Sequence, residues 1–225
     1  MFSPRPSWGR NFVMFPAQAW PLSPALMTDA SLEEFLLHFH HFTPQQLQLI
    51  RSQVVEKTYP AGAYFSEAGR VAQEIGFIVQ GVFRVCYFDR DGTETTKYFL
   101  EENNFIVDLQ SYQYQLPSTE YVQAVTEVRA LVFKTSAWQR LGHTIVDWPK
   151  VEANLITRAL LEKINRRSPL VSTDAATRYE QFLTTFPALA NRVPLSQLAS
   201  YIGVTPQTLS RIRRNVGHLP AEPEE

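Results

Sequence analysis

The apolar residues of this chain recur with two different spacings, and the change between them divides the sequence into parts. Between residues 54 and 135, apolar residues fall in short runs bounded by turn residues such as Pro60, Gly69, Gly81 and Gly92. Many short strands at even spacing predict an antiparallel sandwich or barrel. On both sides of this stretch, apolar residues recur three and four positions apart, which predicts helices.

Individual elements follow from these patterns. The strands are predicted at residues 54–59, 63–67, 75–80, 82–88, 93–100, 121–125 and 130–133. Capping boxes predict the starts of two earlier helices, which end near residues 41 and 52: Ser31 with Glu34, and Thr43 with Gln46. After the strands, a helix with an apolar stripe is predicted from about residue 148 to 166, and another from 173 to near Pro187.

Residues 195–214, LSQLASYIGVTPQTLSRIRR, predict two short helices joined by a tight turn. Small Ala199 allows a close helix crossing, and Gly203 stands where the chain turns with a positive φ. Thr205 is predicted as the N-cap of the second helix and Pro206 as its first residue. Leu209 and Ile212 then face inward, and the outward residues include no carboxylate: Gln207, Thr208, Ser210, Arg211 and Arg214.

This outward set suits the major groove of DNA. Gln can pair bidentately with adenine and Arg with guanine, while Ser and Thr can contact phosphates or base edges. The predicted base contacts are Gln207, Thr208, Ser210 and Arg211. The predicted phosphate contacts are Thr205, Arg192, Arg213 and Arg214. An ordinary helical hairpin with a basic, solvated face is the alternative interpretation of the same pattern.

The segment resembles the DNA-binding motif of the Crp/Fnr family of bacterial transcription regulators. The shared positions are Ala199, Ile202-Gly203, Thr205, Thr208 and Ser210-Arg211. That family commonly has Glu where Gln207 stands here, which leaves the base preferred at this contact open. The family's fold usually continues with a hairpin wing, but only Asn215 to Glu225 follow, so any wing is expected to be short or absent.

The resemblance implies an α+β fold and a division into domains. An N-terminal antiparallel β-roll (a jelly-roll-like double-stranded β-helix) is joined by a long dimerisation helix to a C-terminal winged-helix-like helix-turn-helix. The implied parts are a disordered extension at 1–29, a cyclic-nucleotide-binding-like sensor at 30–148, the dimerisation helix at 149–170 and the DNA-binding domain at 171–225. Translation from Met1 and from Met27 both stay open. A homodimer on a palindromic operator is expected, with RNA polymerase as a candidate further partner.

The resemblance weakens at the site where cyclic-nucleotide-binding relatives hold phosphate. Their Phe-x-Gly-Glu-Leu and Arg-Ser/Thr-Ala words correspond here to Phe105-Ile-Val-Asp-Leu109 and Ser118-Thr-Glu120. We expect no binding of cyclic AMP in the usual manner, because the phosphate-binding Arg and Gly are absent and Glu120 adds negative charge. The residues assigned to an effector pocket are Arg84, Asp108, Ser118, Thr119 and Tyr121. Effector-gated and constitutive, ligand-free DNA binding are both left open.

Composition narrows the remaining classes. A single cysteine, Cys86, excludes a Cys-rich zinc site or a four-thiolate cluster. A cupin-like enzyme, the less favoured alternative beside a small-molecule binding module, would need a His cluster in the barrel, and residues 54–135 contain no His. We therefore expect neither a catalytic residue nor a metal ligand. No apolar run approaches the length of a membrane span, so a cytoplasmic location is expected. Residues 150–217 contain ten Lys or Arg against four Asp or Glu, a balance that suits a phosphate partner.

Overall fold

The computed structural model describes residues 30–166 and 174–216, which form eight helices and eight strands. The helices are α1 (Ala30–Leu37), α2 (Pro44–Ser52), α3 (Leu109–Tyr114), α4 (Thr135–Thr144), α5 (Trp148–Arg166), α6 (Ala175–Thr185), α7 (Leu195–Ile202) and α8 (Pro206–Val216). The strands are β1 (Val54–Tyr59), β2 (Tyr64–Ser66), β3 (Glu74–Gln80), β4 (Phe83–Phe88), β5 (Glu94–Leu100), β6 (Phe105–Ile106), β7 (Tyr121–Ala124) and β8 (Val128–Lys134). The predicted extension, the alternative start at Met27 and any wing after residue 216 lie outside the described residues.

The strands form a β-roll of two four-stranded antiparallel sheets. One sheet has the order β1-β8-β3-β6 and the other the order β2-β7-β4-β5. Their facing sides bury an apolar core that includes Ile78, Phe83, Val85, Val122 and Val132. All seven predicted strands are confirmed within two residues at either end. The two-residue strand β6 and the helices α3 and α4 were not predicted.

Helices α1, α2, α4 and α5 share a second core with the first sheet, in which Phe35, Phe77, Trp138 and Trp148 are buried. The predicted capping box at Thr43 is confirmed, because its side chain and that of Gln46 each accept the other's backbone N–H. The prediction for α1 is wrong at both ends. This helix already includes Ser31 and ends at Leu37, because its register is set by the burial of Leu32, Phe35 and Leu36.

The apolar stripe of α5 divides into two parts. Val151 and Leu155, near its start, are buried against the roll. Near its end, Leu160, Leu161 and Ile164 are 45%, 58% and 68% exposed. Neither this 19-residue helix nor any other in the described part of the chain is long and apolar enough to cross a membrane. The second half of α5 therefore presents an apolar surface that the described residues leave uncovered.

Helices α6, α7 and α8 form a compact three-helix unit, which contains no strand between residues 174 and 216. Asp174 caps α6 by accepting from the N–H groups of Ala176 and Thr177. The unit's core also includes three residues of the roll, Val82, Phe99 and Val125. The three-helix unit and the roll are thus packed together through one continuous apolar cluster.

Candidate nucleic-acid interface and effector site

The turn between α7 and α8 has the geometry that its sequence predicts. Gly203 adopts φ 77°, in the left-handed region that favours glycine. Its N–H donates to the carbonyl of Ala199 at 2.9 Å, and the N–H of Val204 donates to the same oxygen at 3.0 Å. Ala199 and Ile202 are fully buried behind the turn. The predicted corner is confirmed, and it fixes where α8 begins.

Thr205 caps α8. Its side-chain oxygen accepts the N–H of Thr208 at 3.2 Å, and its carbonyl accepts the N–H of Leu209 at 3.0 Å. The hydroxyl groups of Thr205 and Thr208 also lie 3.0 Å apart, within hydrogen-bond distance. Pro206 follows as the first helical residue, where a missing N–H costs nothing. The cap therefore orders the first turn of the helix that is predicted to contact bases.

The two faces of α8 differ sharply in burial and charge. Leu209 is fully buried and Ile212 packs against the same core. Gln207, Arg211 and Arg214 are exposed, and Thr208 and Ser210 are half-buried. Because Gln207 and Arg211 are four residues apart, they lie on one helical face. No Asp or Glu occurs in α8, so this face combines positive charge with amide and hydroxyl groups.

Two of the predicted phosphate contacts have partners inside the protein. Arg192 donates two hydrogen bonds to the Glu102 carboxylate of the roll, from Nη1 at 3.0 Å and from Nη2 at 2.5 Å. Arg213 donates from Nη2 to the carbonyl of Ala190 at 3.2 Å. This geometry does not support a phosphate contact by Arg192. Arg213 is half-buried, which leaves Arg214 and Thr205 as the exposed predicted phosphate contacts.

In the roll, α3 stands where the resemblance places phosphate binding. Asp108 caps it by accepting the N–H of Ser111 at 3.0 Å. The Ser111 hydroxyl in turn accepts the N–H of Ala72 at 2.7 Å, which ties α3 to the loop before β3. Asp108 therefore places a carboxylate at the start of α3, at the position of the Glu in the relatives' Phe-x-Gly-Glu-Leu word. Val107 adds a side chain where backbone approach would require glycine.

Two cavities flank α3, and three of the predicted pocket residues line them. Asp108 and Ser118 line one of about 200 Å³ beside β2 and residues 70–74. Asp108 and the exposed Thr119 line another of about 270 Å³ that reaches Leu160 and Lys163 of α5. The Ser118 hydroxyl is hydrogen-bonded to the backbone N–H and carbonyl of Glu120. Ser118 stands at the position of the relatives' phosphate-binding Arg, but it stabilises its own loop and carries no positive charge.

Glu120, which lines the larger cavity, is already paired with two lysines. Lys97 donates a hydrogen bond to one oxygen of the Glu120 carboxylate, and Lys163 lies 3.8 Å from the other. The ammonium group of Lys163 also lies 5.5 Å from the centre of the Tyr98 ring. A ligand anion would have to compete with Glu120 for both lysines. The arrangement is therefore poorly suited to a cyclic phosphate.

Arg84 and Tyr121 do not belong to this region, which corrects their assignment to an effector pocket with Asp108. Their chain neighbours Phe83, Val85 and Val122 face the core of the roll, so both side chains point to the outer side of the sheet. Arg84 is only 3% exposed, and it pairs there with Glu94 and donates to the side-chain oxygens of Thr96 and Gln123: Nη1 to Oγ1 at 3.2 Å, and Nε to Oε1 at 3.0 Å. Tyr121 packs against the rings of Tyr64 and Phe88.

Comparison with known proteins finds one family that resembles the roll. Residues 56–144 match the family model described as the cyclic nucleotide-binding domain. A search of curated proteins by sequence finds no significant match. The match describes the fold of the roll, and the geometry around α3 is what bears on a ligand.

Solved structures extend the likeness beyond the cyclic nucleotide-binding domain. The chain is similar to the c-di-GMP-responsive global regulator CLP of Xanthomonas campestris, with 14% identity and a TM-score of 0.62 over 78% of this chain and 92% of that one. It is similar to FixK2 of Bradyrhizobium japonicum, with 16% identity and a TM-score of 0.59 over 73% of this chain and 84% of that one. It is also similar to a regulatory protein of Silicibacter pomeroyi DSS-3, with 17% identity and a TM-score of 0.53 over 78% of this chain and 81% of that one. The likeness confirms the predicted fold class, an antiparallel β-roll joined by a long helix to a C-terminal helical unit.

Sequence analysis also passed over two residues that connect the roll to the three-helix unit. Glu102 was not singled out, yet it joins the roll to the three-helix unit through Arg192. Ser200, on the half-buried side of α7, was likewise missed, although it hydrogen-bonds to β5. The only local signal is the polar run Glu101-Glu-Asn-Asn104 after β5, which marks a turn. Partners about 90 and 100 residues apart leave no periodic trace.

Cys86 lies on the outer side of the same sheet and is fully buried. Burial is the main cause that raises the pKa of its thiol to about 11, with the nearby Glu94 adding to the effect. The thiol is therefore protonated at neutral pH, as expected of a small apolar core residue. Within residues 30–166 and 174–216, no three His, Cys, Asp or Glu side chains lie together in a way that could hold a metal ion.

Proposed function

We propose that this chain is a sequence-specific, DNA-binding transcription regulator that acts as a homodimer. The observation that carries the proposal is the outward face of α8. Gln207 and Arg211 are exposed on this face, Leu209 is buried on the opposite face, and the first turn of the helix is capped. The fold shared with transcription regulators supports the same conclusion. The chain's chemistry at this face is hydrogen bonding and charge, which suits binding rather than catalysis.

In this proposal the residues of α8 have separate roles. Gln207 and Arg211 hydrogen-bond to base edges in the major groove, and Thr208 and Ser210 contact bases or the sugar-phosphate backbone beside them. Arg214 and Thr205 contact phosphates. Arg213 contributes positive charge while it remains hydrogen-bonded to Ala190. Phosphate contacts orient the helix, and the two long side chains give sequence preference.

The exposed end of α5 supports dimerisation. Leu160, Leu161 and Ile164 form an apolar surface at the end of a long helix, where burial against a second copy removes them from water. Two-fold symmetry then places two copies of α8 in successive major grooves, about 34 Å or ten base pairs apart. The operator is accordingly a palindrome. RNA polymerase is a candidate partner at the regulated promoter.

Selection of binding sites from random duplex DNA at a stated salt concentration tests the proposal. We expect an enriched palindrome with half-sites about one helical turn apart. Absence of any enriched sequence, with and without added metabolites, would overturn it. Arg90→Ala is a suitable control for variants of α8, because Arg90 is an exposed arginine in the β4–β5 hairpin.

A constitutive regulator without a ligand is the form that the sensor geometry favours over an effector-gated one. Glu120 is paired with Lys97 and Lys163, so a phosphate beside α3 would have to compete with this carboxylate for both lysines. The selection is therefore run with no addition, with cyclic AMP and with a metabolite pool. Enrichment without addition supports the constitutive form. Enrichment that requires one compound identifies an effector and favours the gated form.

A further inference from the structure

Strand β5 lies at the edge of its sheet, and α7 covers that edge. An edge strand has unpaired backbone groups that must find other partners. Here the N–H of Thr96 donates to the Ser200 hydroxyl at 2.9 Å, and that hydroxyl donates to the carbonyl of Glu94 at 3.0 Å. One serine of α7 therefore substitutes for part of a neighbouring strand.

An apolar contact lies beside this polar one. Phe99 of β5 is fully buried, and its ring centre lies 5.5 to 6.4 Å from those of Phe182, Phe186 and Tyr201. The Tyr201 hydroxyl also donates to the carbonyl of Arg166 at the end of α5, at 2.8 Å. Apolar packing of this kind gives adhesion without strong directional preference. The orientation of the three-helix unit needs directional contacts in addition.

Glu102 supplies the most directional of these contacts. Its carboxylate accepts two hydrogen bonds from the planar guanidinium of Arg192, a geometry that fixes angle as well as distance. The same carboxylate accepts the N–H of Gly81 at 2.7 Å. Gly81 has φ 100°, and a Cβ there would come within 2.3 Å of the Glu127 carbonyl, so its loop is closely fitted into the roll. Glu102 is thus anchored on the sensor side.

A short path leads from Arg192 to α8. The backbone N–H of Arg192 donates to the carbonyl of Leu189 at 2.9 Å, within the turn that precedes α7. Arg213 of α8 donates to the carbonyl of Ala190 in the same turn. Val193 and Leu189 of this turn are buried with Leu209 in one core. A constraint on Arg192 therefore restrains α8 through a well-packed segment.

We propose that Glu102 is a positioning residue, which holds α8 at a fixed orientation on the sensor and thereby sets the spacing of the two DNA half-sites. The role of Glu102 in half-site spacing rests on the proposed DNA-binding function, whereas its role in holding α8 on the roll does not. In a symmetric dimer, the distance between the two α8 helices is fixed only if each three-helix unit is fixed on its own roll. Loosening Glu102 widens the range of spacings that the dimer tolerates without changing the half-site sequence.

Hydrogen exchange without DNA tests the role of Glu102 in holding α8 on the roll. The variant Glu102→Gln keeps an oxygen for the Gly81 N–H but weakens the pair with Arg192. We expect exchange of the Thr96 amide to rise on the order of tenfold, which corresponds to the loss of one charge-assisted hydrogen bond. Glu56→Gln is the matched control, because Glu56 pairs with Arg129 on the opposite sheet, away from the three-helix unit. Unchanged exchange at Thr96 in Glu102→Gln would overturn the proposal.

A set of palindromic duplexes with altered spacing tests the role of Glu102 in half-site spacing. Wild-type protein should prefer one spacing, and Glu102→Gln should bind duplexes one base pair longer or shorter with a smaller loss than wild type shows. The half-site sequence preference should stay the same, which a general loss of structure would not permit. Faster exchange with unchanged spacing preference would overturn the spacing role. If the wild-type protein binds no duplex, the proposed function fails, and the exchange measurement still decides whether Glu102 holds the unit.

Discussion

Helices α3 and α8 have similar beginnings and opposite electrostatics. Each starts with a side-chain N-cap, Asp108 in one case and Thr205 in the other. At α3 the cap is itself a carboxylate, and nearby Glu120 is paired with Lys97. At α8 the cap is neutral, and the helix adds three arginines without any acid. The polar face of α8 therefore favours an anion, whereas the carboxylates of Asp108 and Glu120 place negative charge around α3.

The comparison requires that α8 keep its polar face outward, and Leu209 ensures this. Replacement Leu209→Ala removes a fully buried side chain from the core of the three-helix unit. We expect the free energy of unfolding to fall by about 2–5 kcal/mol, the range for such a cavity. Urea unfolding followed by circular dichroism measures it. The control is Leu116→Ala in the loop after α3, where the side chain is 48% exposed and a change within about 0.5 kcal/mol is expected. Equal effects at both positions would contradict the packing described.

Arg211 tests the charge of α8 directly. Arg211→Ala should weaken binding to the selected operator by about 1–3 kcal/mol and relax discrimination at one base pair. The reason is the loss of a bidentate contact to a guanine edge. Arg90→Ala should leave binding to the operator close to that of wild type. Competition binding against single-base operator variants measures both quantities, and an unchanged sequence preference in Arg211→Ala would show that the assigned face is wrong.

The pairing of Glu102 with Arg192 predicts a smaller, pH-dependent effect. Burial alone would raise the pKa of Glu102, but hydrogen bonds from Arg192 and from backbone N–H groups lower it on balance. A lowered pKa in the folded state means that this group stabilises the fold above about pH 4.3 and that the stabilisation is lost as the pH falls below it. Glu102→Gln should therefore lower stability by about 1 kcal/mol at pH 7 and flatten the loss of stability in acid. Urea unfolding at a series of pH values measures this.

Glu101 provides the contrasting case. Burial chiefly raises its pKa, although Arg166 opposes the change. Its folded form binds a proton more readily, so its ionisation destabilises the fold as the pH rises from about 4.3 through the raised value. Glu101→Gln should remove that loss of stability. The loss occurs at pH values above the ordinary glutamate pKa, whereas the effect of Glu102 occurs below it. Similar pH profiles for the two variants would contradict the distinction between the neighbouring carboxylates.

Features with a local physical cause could be predicted from sequence. The positive φ of Gly203, the cap at Thr205 and the capping box at Thr43 each depend on residues within four positions of one another. The seven strands follow from short apolar runs bounded by turn residues, and the orientation of Arg84 could have followed from its neighbours as well. Its neighbours Phe83 and Val85 are apolar and face the core, so an arginine between them points outward.

Other features depend on partners that are distant in the sequence. Arg192 was predicted to contact phosphate because it is a cation beside the helix-turn-helix. Its partner Glu102 lies 90 residues earlier, and no periodicity connects them. The short β6 and α3 were missed because two to six residues give too little pattern to distinguish from a loop. The contact between α7 and the edge of β5 is likewise tertiary, because Ser200 lies more than 100 residues after its partners Glu94 and Thr96.

The smallest predicted effect is a null result at α3. Addition of 1 mM cyclic AMP should change the free energy of unfolding by less than about 0.4 kcal/mol, since a larger gain would require a dissociation constant below 1 mM. The physical reason is that Glu120 already engages Lys97 and Lys163, and that Ser118 stands at the position of the relatives' phosphate-binding Arg. Thermal or urea unfolding with and without the nucleotide measures the change, and 5′-AMP controls for unspecific effects of a phosphate. A gain in stability specific to cyclic AMP would show that the two lysines exchange Glu120 for the ligand. The region around α3 would then bind an anion as the face of α8 is proposed to do, and the contrast in charge between them would not hold.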